Sequence, residues 1–333
     1  MTEIALDTAR SLWTTAPGQM ALRTEDLPVL ADGQLRLRAL CSGVSRGTEA
    51  LVLAGDVPDS LHATMRCPGQ DGEFPFPVKY GYALVGEVVD GPFDRLGQTV
   101  FTLHPHQDHA VVPATMAVPL PEGLPPLRAV LTANMETALN LCWDSGAAPG
   151  DRVLVVGAGV VGLLVAGLIR DIPGTRVVLC DINPARRAVA EALGLSFVLP
   201  EGVPRDVDIA INLSASGAGL QCALDAAGQE ATVVEGSWYG CRATNLNLGG
   251  GFHPRRLTLK SSQVGHLPPG RAPRWSFTRR LQTAMALLRD RPALDLLVRQ
   301  TLPFAKAPER LPPLLAPGAD ALCPVLIYPE TGA

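Results

Sequence analysis

Three glycines, Gly157, Gly159 and Gly162, have the Gly-x-Gly-x-x-Gly spacing that lets a backbone approach phosphate groups. Gly157 permits a tight turn, Gly159 permits close approach to a pyrophosphate, and Gly162 permits close packing of the next helix on the preceding strand. The N-terminus of that helix would offer free N–H groups, including those of Val160 and Val161, and a partial positive charge. The spacing therefore predicts a dinucleotide-phosphate site.

A carboxylate follows at a suitable distance. Asp181 ends the apolar run 176–181, about 20 residues after Gly162, where a carboxylate can bind the adenosine ribose. Such a group accepts hydrogen bonds from a ribose diol and repels a 2′-phosphate, so it favours NAD over NADP. Arg186 and Arg187 could offset that repulsion, although both also fit an exposed helix face, so NADP stays open as the alternative cofactor.

The elements around these residues alternate between strand and helix. Residues 153–169 carry no charge, but four glycines and charged flanking residues argue against a membrane helix. Further helices are predicted at 184–193 and 219–227, and further strands at 206–213, 230–235 and 257–264. The alternation predicts an α/β fold with a Rossmann-type, doubly wound parallel sheet.

The rest of the chain is predicted to be rich in β-structure. Its predicted strands are 5–14, 34–39, 83–89, 99–103, 110–112 and 323–328, and its predicted helices are 127–145 and 278–289. The predicted domains are therefore 1–137 with 266–333, and a nucleotide-binding domain, 138–265, inserted between them.

This organisation and three motifs resemble the medium-chain dehydrogenase/reductase superfamily over essentially the whole chain. The motifs are Ala39-Leu-Cys-Ser-Gly-Val-Ser-Arg-Gly-Thr-Glu49, Lys79-Tyr-Gly-Tyr-Ala-Leu-Val-Gly-Glu-Val-Val89 and Ala148-Pro-Gly-Asp-Arg-Val-Leu-Val-Val-Gly-Ala-Gly159. The first is similar to the branch that contains the dehydrogenase of hydroxyethyl-bacteriochlorophyllide. The resemblance implies a GroES-like catalytic domain, a nicotinamide in the cleft between domains, and a homodimer formed through the nucleotide-binding domain. It also implies that Arg46 contacts the pyrophosphate and that Thr137 approaches the nicotinamide.

The chain departs from the zinc-containing members of that superfamily. Ser45 stands where they have a cysteine, Tyr82 and Ala83 replace a His-Glu pair, and Ala133 occupies the third ligand position. A hydroxyl and a phenol are poor zinc ligands at neutral pH, and the alanine side chain has no atom that could bind zinc. We therefore expect no zinc at the usual site.

Without zinc, hydrogen-bond donors and a proton-transferring side chain must handle the charge on the substrate oxygen. Ser45, Thr48, Tyr82 and His104 are the candidate catalytic residues. Tyr82 could donate to a carbonyl oxygen, or simply be a half-buried strand tyrosine. Glu136, beside Thr137, is a possible base, although an exposed helix glutamate fits it better.

Two further segments carry residues of interest. The histidines of His104-Pro-His-Gln-Asp-His109 could bind a metal, or could gather in a loop by chance. His104 or His106 could instead face the substrate and titrate near neutral pH. Trp238 and Tyr239 follow a predicted strand, and could either floor a substrate pocket or fill an interdomain seam.

Composition limits the function classes. The chain has 333 residues, 47% of them hydrophobic and 18% charged, with a net charge of −4. Neither nucleic acid nor an anionic membrane is an expected partner, no secretory signal is visible, and seven cysteines without a C-x-x-C pair suggest a cytoplasmic protein.

The main hypothesis is a zinc-independent NAD(H)-dependent oxidoreductase acting on a secondary alcohol or ketone. The alternatives are an NADPH-dependent quinone or enone reductase and a catalytically inactive nucleotide-binding sensor.

Overall fold

The computed structural model describes residues 8–329, so residues 5–7 of the first predicted strand lie outside the described part. The chain divides into two units, and the boundaries fall after residues 133 and 284. Unit 1 comprises 8–133 and 285–329 of the described chain, and unit 2 comprises 134–284. The predicted boundaries were 137/138 and 265/266. Among the described residues, no helix is both long and apolar enough to cross a membrane.

Seventeen strands and eight α-helices are described. The strands are β1 (Thr8–Ala16), β2 (Gln19–Asp26), β3 (Gln34–Gly43), β4 (Asp71–Gly72), β5 (Val78–Lys79), β6 (Leu84–Asp90), β7 (Thr99–Thr102), β8 (His109–Pro113), β9 (Val118–Pro119), β10 (Arg152–Val156), β11 (Arg176–Cys180), β12 (Ser196–Val198), β13 (Val207–Asn212), β14 (Ala227–Glu235), β15 (Thr258–Ser261), β16 (Thr301–Pro303) and β17 (Val325–Ile327). The helices are α1 (Arg46–Ala54), α2 (Pro126–Ala129), α3 (Thr132–Ser145), α4 (Val160–Arg170), α5 (Arg186–Ala192), α6 (Gly217–Ala226), α7 (Phe277–Arg289) and α8 (Ala307–Leu315).

Unit 1 is built on two sheets. One has the order β2-β1-β5-β4, and the other has the order β16-β17-β3-β6-β7-β9, with β8 also paired to β3. In β3 the side chains alternate between buried and half-buried positions, because successive residues of a strand point to opposite faces. Leu35, Leu37 and Ala39 thereby enter a core that also contains Phe304 and Leu326 from the C-terminal segment. The C-terminal residues therefore complete the core of unit 1.

Unit 2 contains one parallel sheet with the order β12-β11-β10-β13-β14-β15. The pairs β10–β11, β11–β12, β10–β13, β13–β14 and β14–β15 are all parallel. This is the strand order 3-2-1-4-5-6 of a dinucleotide-binding fold, in which ligands bind at the carboxyl ends of the strands. The predicted Rossmann sheet within a chain rich in β-structure is confirmed.

The predicted helix 127–145 is the clearest difference in secondary structure. The structure has two helices there, α2 and α3, separated by Val130 and Leu131. Both of these residues are fully buried, so the apolar pattern continues through the break and gives no sign of it.

Candidate functional site

The glycine-rich turn has the conformation that its spacing predicts. Gly157 has φ of +107°, which L side chains rarely adopt, and a Cβ there would lie 2.7 Å from the Leu213 carbonyl carbon. A Cβ on Gly162 would lie 1.8 Å from the Gly157 carbonyl oxygen. A Cβ on Gly159 would meet no atom within 4 Å. The first and third glycines are therefore required by the fold itself, whereas the second faces open space, as close approach by a pyrophosphate requires.

Helix α4 begins directly at this opening. Gly159 is its N-cap residue, and the Gly159 carbonyl accepts the Leu163 N–H at 3.0 Å. The N–H groups of the first turn, including those of Val160 and Val161, have no acceptor within their own helix. They and the helix dipole suit an anion, so this end of unit 2 fits a dinucleotide phosphate.

Asp181 is the residue that ties the second strand of the unit to the turn. Its Oδ2 accepts the Ala158 N–H at 2.6 Å, and its Oδ1 accepts the Asn183 N–H at 2.8 Å. Arg186 is buried, so the expectation of an exposed helix face was wrong for this residue, whereas Arg187 is exposed. Arg187 donates to the Phe197 carbonyl at 3.1 Å and stacks on the Phe197 ring.

Three of the predicted catalytic residues form one hydrogen-bonded cluster in unit 1. The Tyr82 hydroxyl bonds to the side chains of Ser45 and Thr48, and burial raises the pKa of Tyr82 above its usual value. Ser45 lies at the N-cap of α1 and Thr48 lies in its first turn, so the start of this helix places both hydroxyls beside the phenol. The phenol is therefore protonated at neutral pH and available as a donor.

The fourth predicted catalytic residue, His104, is not among the side-chain hydrogen-bond partners of Tyr82. His104 is buried, and its Nδ1–H donates to the Pro105 carbonyl at 3.0 Å. Burial lowers the pKa of His104 to about 4, so the expected titration near neutral pH does not occur at this residue.

A buried chain of polar residues adjoins the cluster and was not predicted. Glu49 Oε1 accepts the Ser45 N–H at 2.7 Å, and Glu49 Oε2 lies 2.9 Å from His106 Nε2. Ser42 Oγ lies 2.7 Å from His106 Nδ1 and 2.8 Å from the Tyr328 hydroxyl. His106 is 1% exposed and both of its ring nitrogens are bonded to other side chains. This contradicts the possibility that His106 faces a substrate. The carboxylate of Glu49 thus holds the backbone of Ser45 in place through the Ser45 N–H.

A small cavity lies beside these buried polar residues. Its volume is about 10 Å³, close to that needed for one water molecule, and Glu49, His106 and Tyr80 are among its lining residues.

The residues at the usual zinc position do not fit a zinc ion. The Ser45 hydroxyl is bonded to Tyr82, and the raised pKa of Tyr82 opposes its ionisation to a phenolate ligand. The three histidines of 104–109 bond to different groups. His104 bonds to the Pro105 carbonyl, His106 bonds to the side chains of Glu49 and Ser42, and His109 Nδ1 lies 3.3 Å from Asp108 Oδ1. Within residues 8–329, no group of three His, Cys, Asp or Glu side chains could hold a metal.

The remaining predicted contacts occupy defined places. Arg46 donates to the carbonyls of Leu314, at 3.2 Å, and Ala316, at 3.0 Å, which its predicted pyrophosphate role did not anticipate. Thr137 is half-buried on α3.

Glu136 is not the exposed helix residue that was expected. Its side chain is 6% exposed, and its Oε1 accepts the Arg280 Nε–H at 3.0 Å. Burial raises the pKa of Glu136, and Arg280 opposes that rise. Arg280 also donates to Asn140 Oδ1 at 2.9 Å, so the three residues form one buried polar group.

A second polar group at the carboxyl ends of β13 and β14 was only partly anticipated, through Tyr239. Asn212 Nδ2 donates to Glu235 Oε2 at 2.6 Å, and the Tyr239 hydroxyl donates to the same oxygen at 2.9 Å. The Ser237 N–H donates to Glu235 Oε1 at 2.7 Å. These residues lie at the ligand-binding edge of the sheet, where the Leu213 backbone also packs against Gly157.

Comparisons with known proteins agree with this architecture, although no protein-family model matches the chain. The chain is 24% identical to L-galactonate-5-dehydrogenase of Escherichia coli over 260 residues, which cover 68% of this chain and 71% of that protein. It is 32% identical to geraniol dehydrogenase of Castellaniella defragrans over 166 residues, which cover 49% of this chain and 44% of that enzyme. The alignment with the second relative thus spans less than half of its length.

A solved structure from Sinorhizobium meliloti, described as a zinc-binding dehydrogenase bound to NADP, has the same fold. It aligns with a TM-score of 0.75 at 19% identity and covers 96% of this chain and 99% of that one. The predicted fold class is therefore confirmed, as is the prediction of an enzyme of the dehydrogenase type. These relatives are dehydrogenases and the solved structure shares the fold, so both findings agree with the resemblance to the medium-chain dehydrogenase/reductase superfamily that the motifs indicated.

Proposed function

We propose that the chain is a zinc-independent, NAD(H)-dependent oxidoreductase that interconverts a secondary alcohol and its ketone. The observation that carries the proposal is the Tyr82 hydroxyl, which is held by the side chains of Ser45 and Thr48. Tyr82 and Ser45 stand at motif positions where zinc members supply metal ligands. A protonated phenol can give a proton to a carbonyl oxygen, so it can serve where those members use a Lewis acid.

The cofactor would be held by residues of unit 2. The Gly159 backbone and the N–H groups of Val160 and Val161 would bind the pyrophosphate, and Asp181 would accept hydrogen bonds from the ribose. Thr137 would contact the nicotinamide. Arg46 and Arg186 stay candidates for cofactor contacts, but Arg46 bonds to backbone carbonyls and Arg186 is buried.

The chemistry then divides between cofactor and protein. A nicotinamide dinucleotide supplies the hydride when it is bound. In the reducing direction, the Tyr82 O–H donates to the substrate oxygen and transfers its proton there as that oxygen becomes an alkoxide, which is a stronger base than the phenolate left behind. The phenolate then regains a proton from solvent before the next turnover. The hydroxyls of Ser45 and Thr48 hold the phenol in place and stabilise its oxygen after the transfer. Glu49 maintains this arrangement by accepting the Ser45 N–H.

The test is a comparison of Tyr82→Phe with Tyr80→Phe. The two rings pack edge to face with centroids 6.0 Å apart, so Tyr80 is a matched aromatic control from the same segment. Across a panel of secondary alcohols and ketones, turnover of Tyr82→Phe should fall by about 10²-fold or more, since that is the usual contribution of a positioned acid. NADH affinity should stay near that of the unaltered protein, and Tyr80→Phe should keep most of its turnover. Near-normal turnover in Tyr82→Phe would remove the phenol from the mechanism.

Zinc independence has its own measurement. Elemental analysis of the purified, active protein should find far less than one zinc per chain. Stoichiometric zinc that is needed for turnover would contradict the proposal.

A second candidate is an NADPH-dependent quinone or enone reductase. The NADP bound to the Sinorhizobium meliloti neighbour supports the NADPH of this candidate, but not its quinone or enone substrate, whereas the carboxylate of Asp181 opposes a 2′-phosphate. Fluorescence titrations with NADH and NADPH separate the two candidates, because we expect NADH to bind more tightly. If either nucleotide binds but no hydride transfer to any carbonyl, quinone or enone occurs, the sensor hypothesis would be favoured instead.

The predicted small-molecule substrate agrees with the dehydrogenase relatives. A homodimer, a cytoplasmic location and the likeness to the bacteriochlorophyllide branch stay predictions.

A further inference from the structure

The carboxyl edge of β13 and β14 carries a charge that the proposed reaction does not use. In a sheet of this strand order, one half binds the adenosine part of a dinucleotide and the other half binds the second nucleotide. Asp181, at the end of β11, lies on the first half, and Glu235, at the end of β14, lies on the second. A nicotinamide would therefore be bound on the side where Glu235 lies.

The side chain of Glu235 is surrounded by hydrogen-bond donors. All three of its partners donate, namely the Ser237 N–H at 2.7 Å, Asn212 Nδ2 at 2.6 Å and the Tyr239 hydroxyl at 2.9 Å. The Ser237 N–H and the Asn212 amide N–H can only donate, so two of the three contacts are made to groups that a carboxylate oxygen satisfies as an acceptor. Burial raises the pKa of Tyr239, and the charge of Glu235 raises it further, so the phenol stays a donor.

The partners hold this charge without neutralising it. Each of them is neutral, and Arg242 donates to the Tyr239 carbonyl at 3.1 Å instead of pairing with the carboxylate. Asn212 is fully buried, so the end of β13 fixes one side of the carboxylate. A charge that is already oriented acts on a ligand without any reorganisation of its surroundings.

We propose that Glu235 makes the site discriminate between the two redox states of its cofactor and favour the oxidised one. This inference rests on the proposed function, because it requires a nicotinamide dinucleotide. The oxidised nicotinamide ring carries a positive charge and the reduced ring is neutral. A fixed carboxylate at this edge of the sheet therefore attracts only the oxidised form. A tenfold preference would make the reduction potential of the bound cofactor about 30 mV more negative than that of the free one.

The experiment compares Glu235→Gln with Glu230→Gln. Both residues lie in β14, but Glu230 lies away from the carboxyl end of the strand. Its exposed side chain pairs with Arg256 at 2.8 Å. The dissociation constants of NAD⁺ and NADH are measured for both variants and for the unaltered protein by calorimetry. In Glu235→Gln, the ratio of the NAD⁺ constant to the NADH constant should rise about tenfold. In Glu230→Gln it should stay within about twofold of the original ratio.

Each result decides the inference. An unchanged ratio in Glu235→Gln, with both nucleotides still bound, would overturn it and leave the proposed function standing. Failure of the unaltered protein to bind either nucleotide would overturn both. Should Glu235→Gln not fold, Tyr239→Phe gives a second test, since it removes one donor and leaves the charge. That change should strengthen the preference for NAD⁺ by about two- to threefold, and a constant or weaker preference would overturn the inference.

Discussion

Replacing Arg280 by methionine should destabilise unit 2 by about 3–5 kcal/mol, the range measured when one partner of a buried ion pair is removed. The Arg280 and Glu136 side chains are 4% and 6% exposed, and their Nε and Oε1 atoms lie 3.0 Å apart. The substitution removes this bond and the one to Asn140, and it leaves a buried carboxylate without a counter-charge. Glu136→Gln combined with Arg280→Met removes the charge as well, so the double variant should lose only about 1–2 kcal/mol.

The destabilisation should also depend on pH in a defined direction. Burial already raises the pKa of Glu136 in the folded chain, and loss of Arg280 removes the group that opposes this rise. A carboxyl group with a raised folded-state pKa stabilises the fold when protonated, and this contribution is lost as the pH rises through the folded-state value. The deficit of Arg280→Met relative to the unaltered protein should therefore be smaller at about pH 5 than at about pH 8.

Urea unfolding followed by tryptophan fluorescence suits this measurement. Three of the four tryptophans, Trp143, Trp238 and Trp275, lie in unit 2, and the rings of Trp143 and Trp275 are 4.6 Å apart. A deficit below about 1 kcal/mol, or one that is equal at both pH values, would refute the assignment of this pair as a buried, mutually dependent ion pair.

Other positions give shorter tests. Gly162→Ala should abolish folding of unit 2, whereas Gly159→Ala should change the melting temperature little and weaken NADH binding at least about tenfold, as thermal unfolding and titration would show. The hydrogen bond with Cys180 lowers the pKa of the Cys222 thiol, so in a mass-spectrometric assay the alkylation rate of Cys222 should level off at a lower pH than that of free cysteine, and levelling off at the same pH or higher would contradict this. His104, whose pKa burial lowers to about 4, should stay neutral in NMR titrations down to about pH 5. Because this pKa is depressed, the stability that neutral His104 contributes is present above about pH 6.5 and is lost as the pH falls towards 4.

Local patterns were enough to predict much of the fold. The glycine spacing, the buried runs of β10 and β11 and the alternation of elements depend on residues close in sequence. Strand β2 was missed because all of its residues are exposed or half-buried, so it has no alternation of buried apolar and exposed polar residues. It forms by pairing with β1 along its length, and a pairing of this kind is not encoded in one strand alone.

The candidate site was predictable only where motif positions carried it. Ser45, Thr48 and Tyr82 were expected together, and the structure brings them together. The burial of Glu136 was missed because it depends on Arg280, which is 144 residues away in the sequence. The Glu49–His106 contact was missed for the same reason, since its partners are 57 residues apart. Charged side chains are placed by such distant partners, which periodicity does not reveal.

The split of unit 1 around unit 2 also sets an order of assembly. Every strand of the unit 2 sheet lies between residues 152 and 261, so that sheet can form while the ribosome is still translating the rest of the chain. The larger sheet of unit 1 must wait, because β17 pairs Ile327 with Cys41 and joins β16 to β3. Tyr328, which bonds to Ser42 beside the buried histidine, is made at the same late moment. The nascent chain therefore acquires its nucleotide-binding unit before it can complete the unit that holds Tyr82.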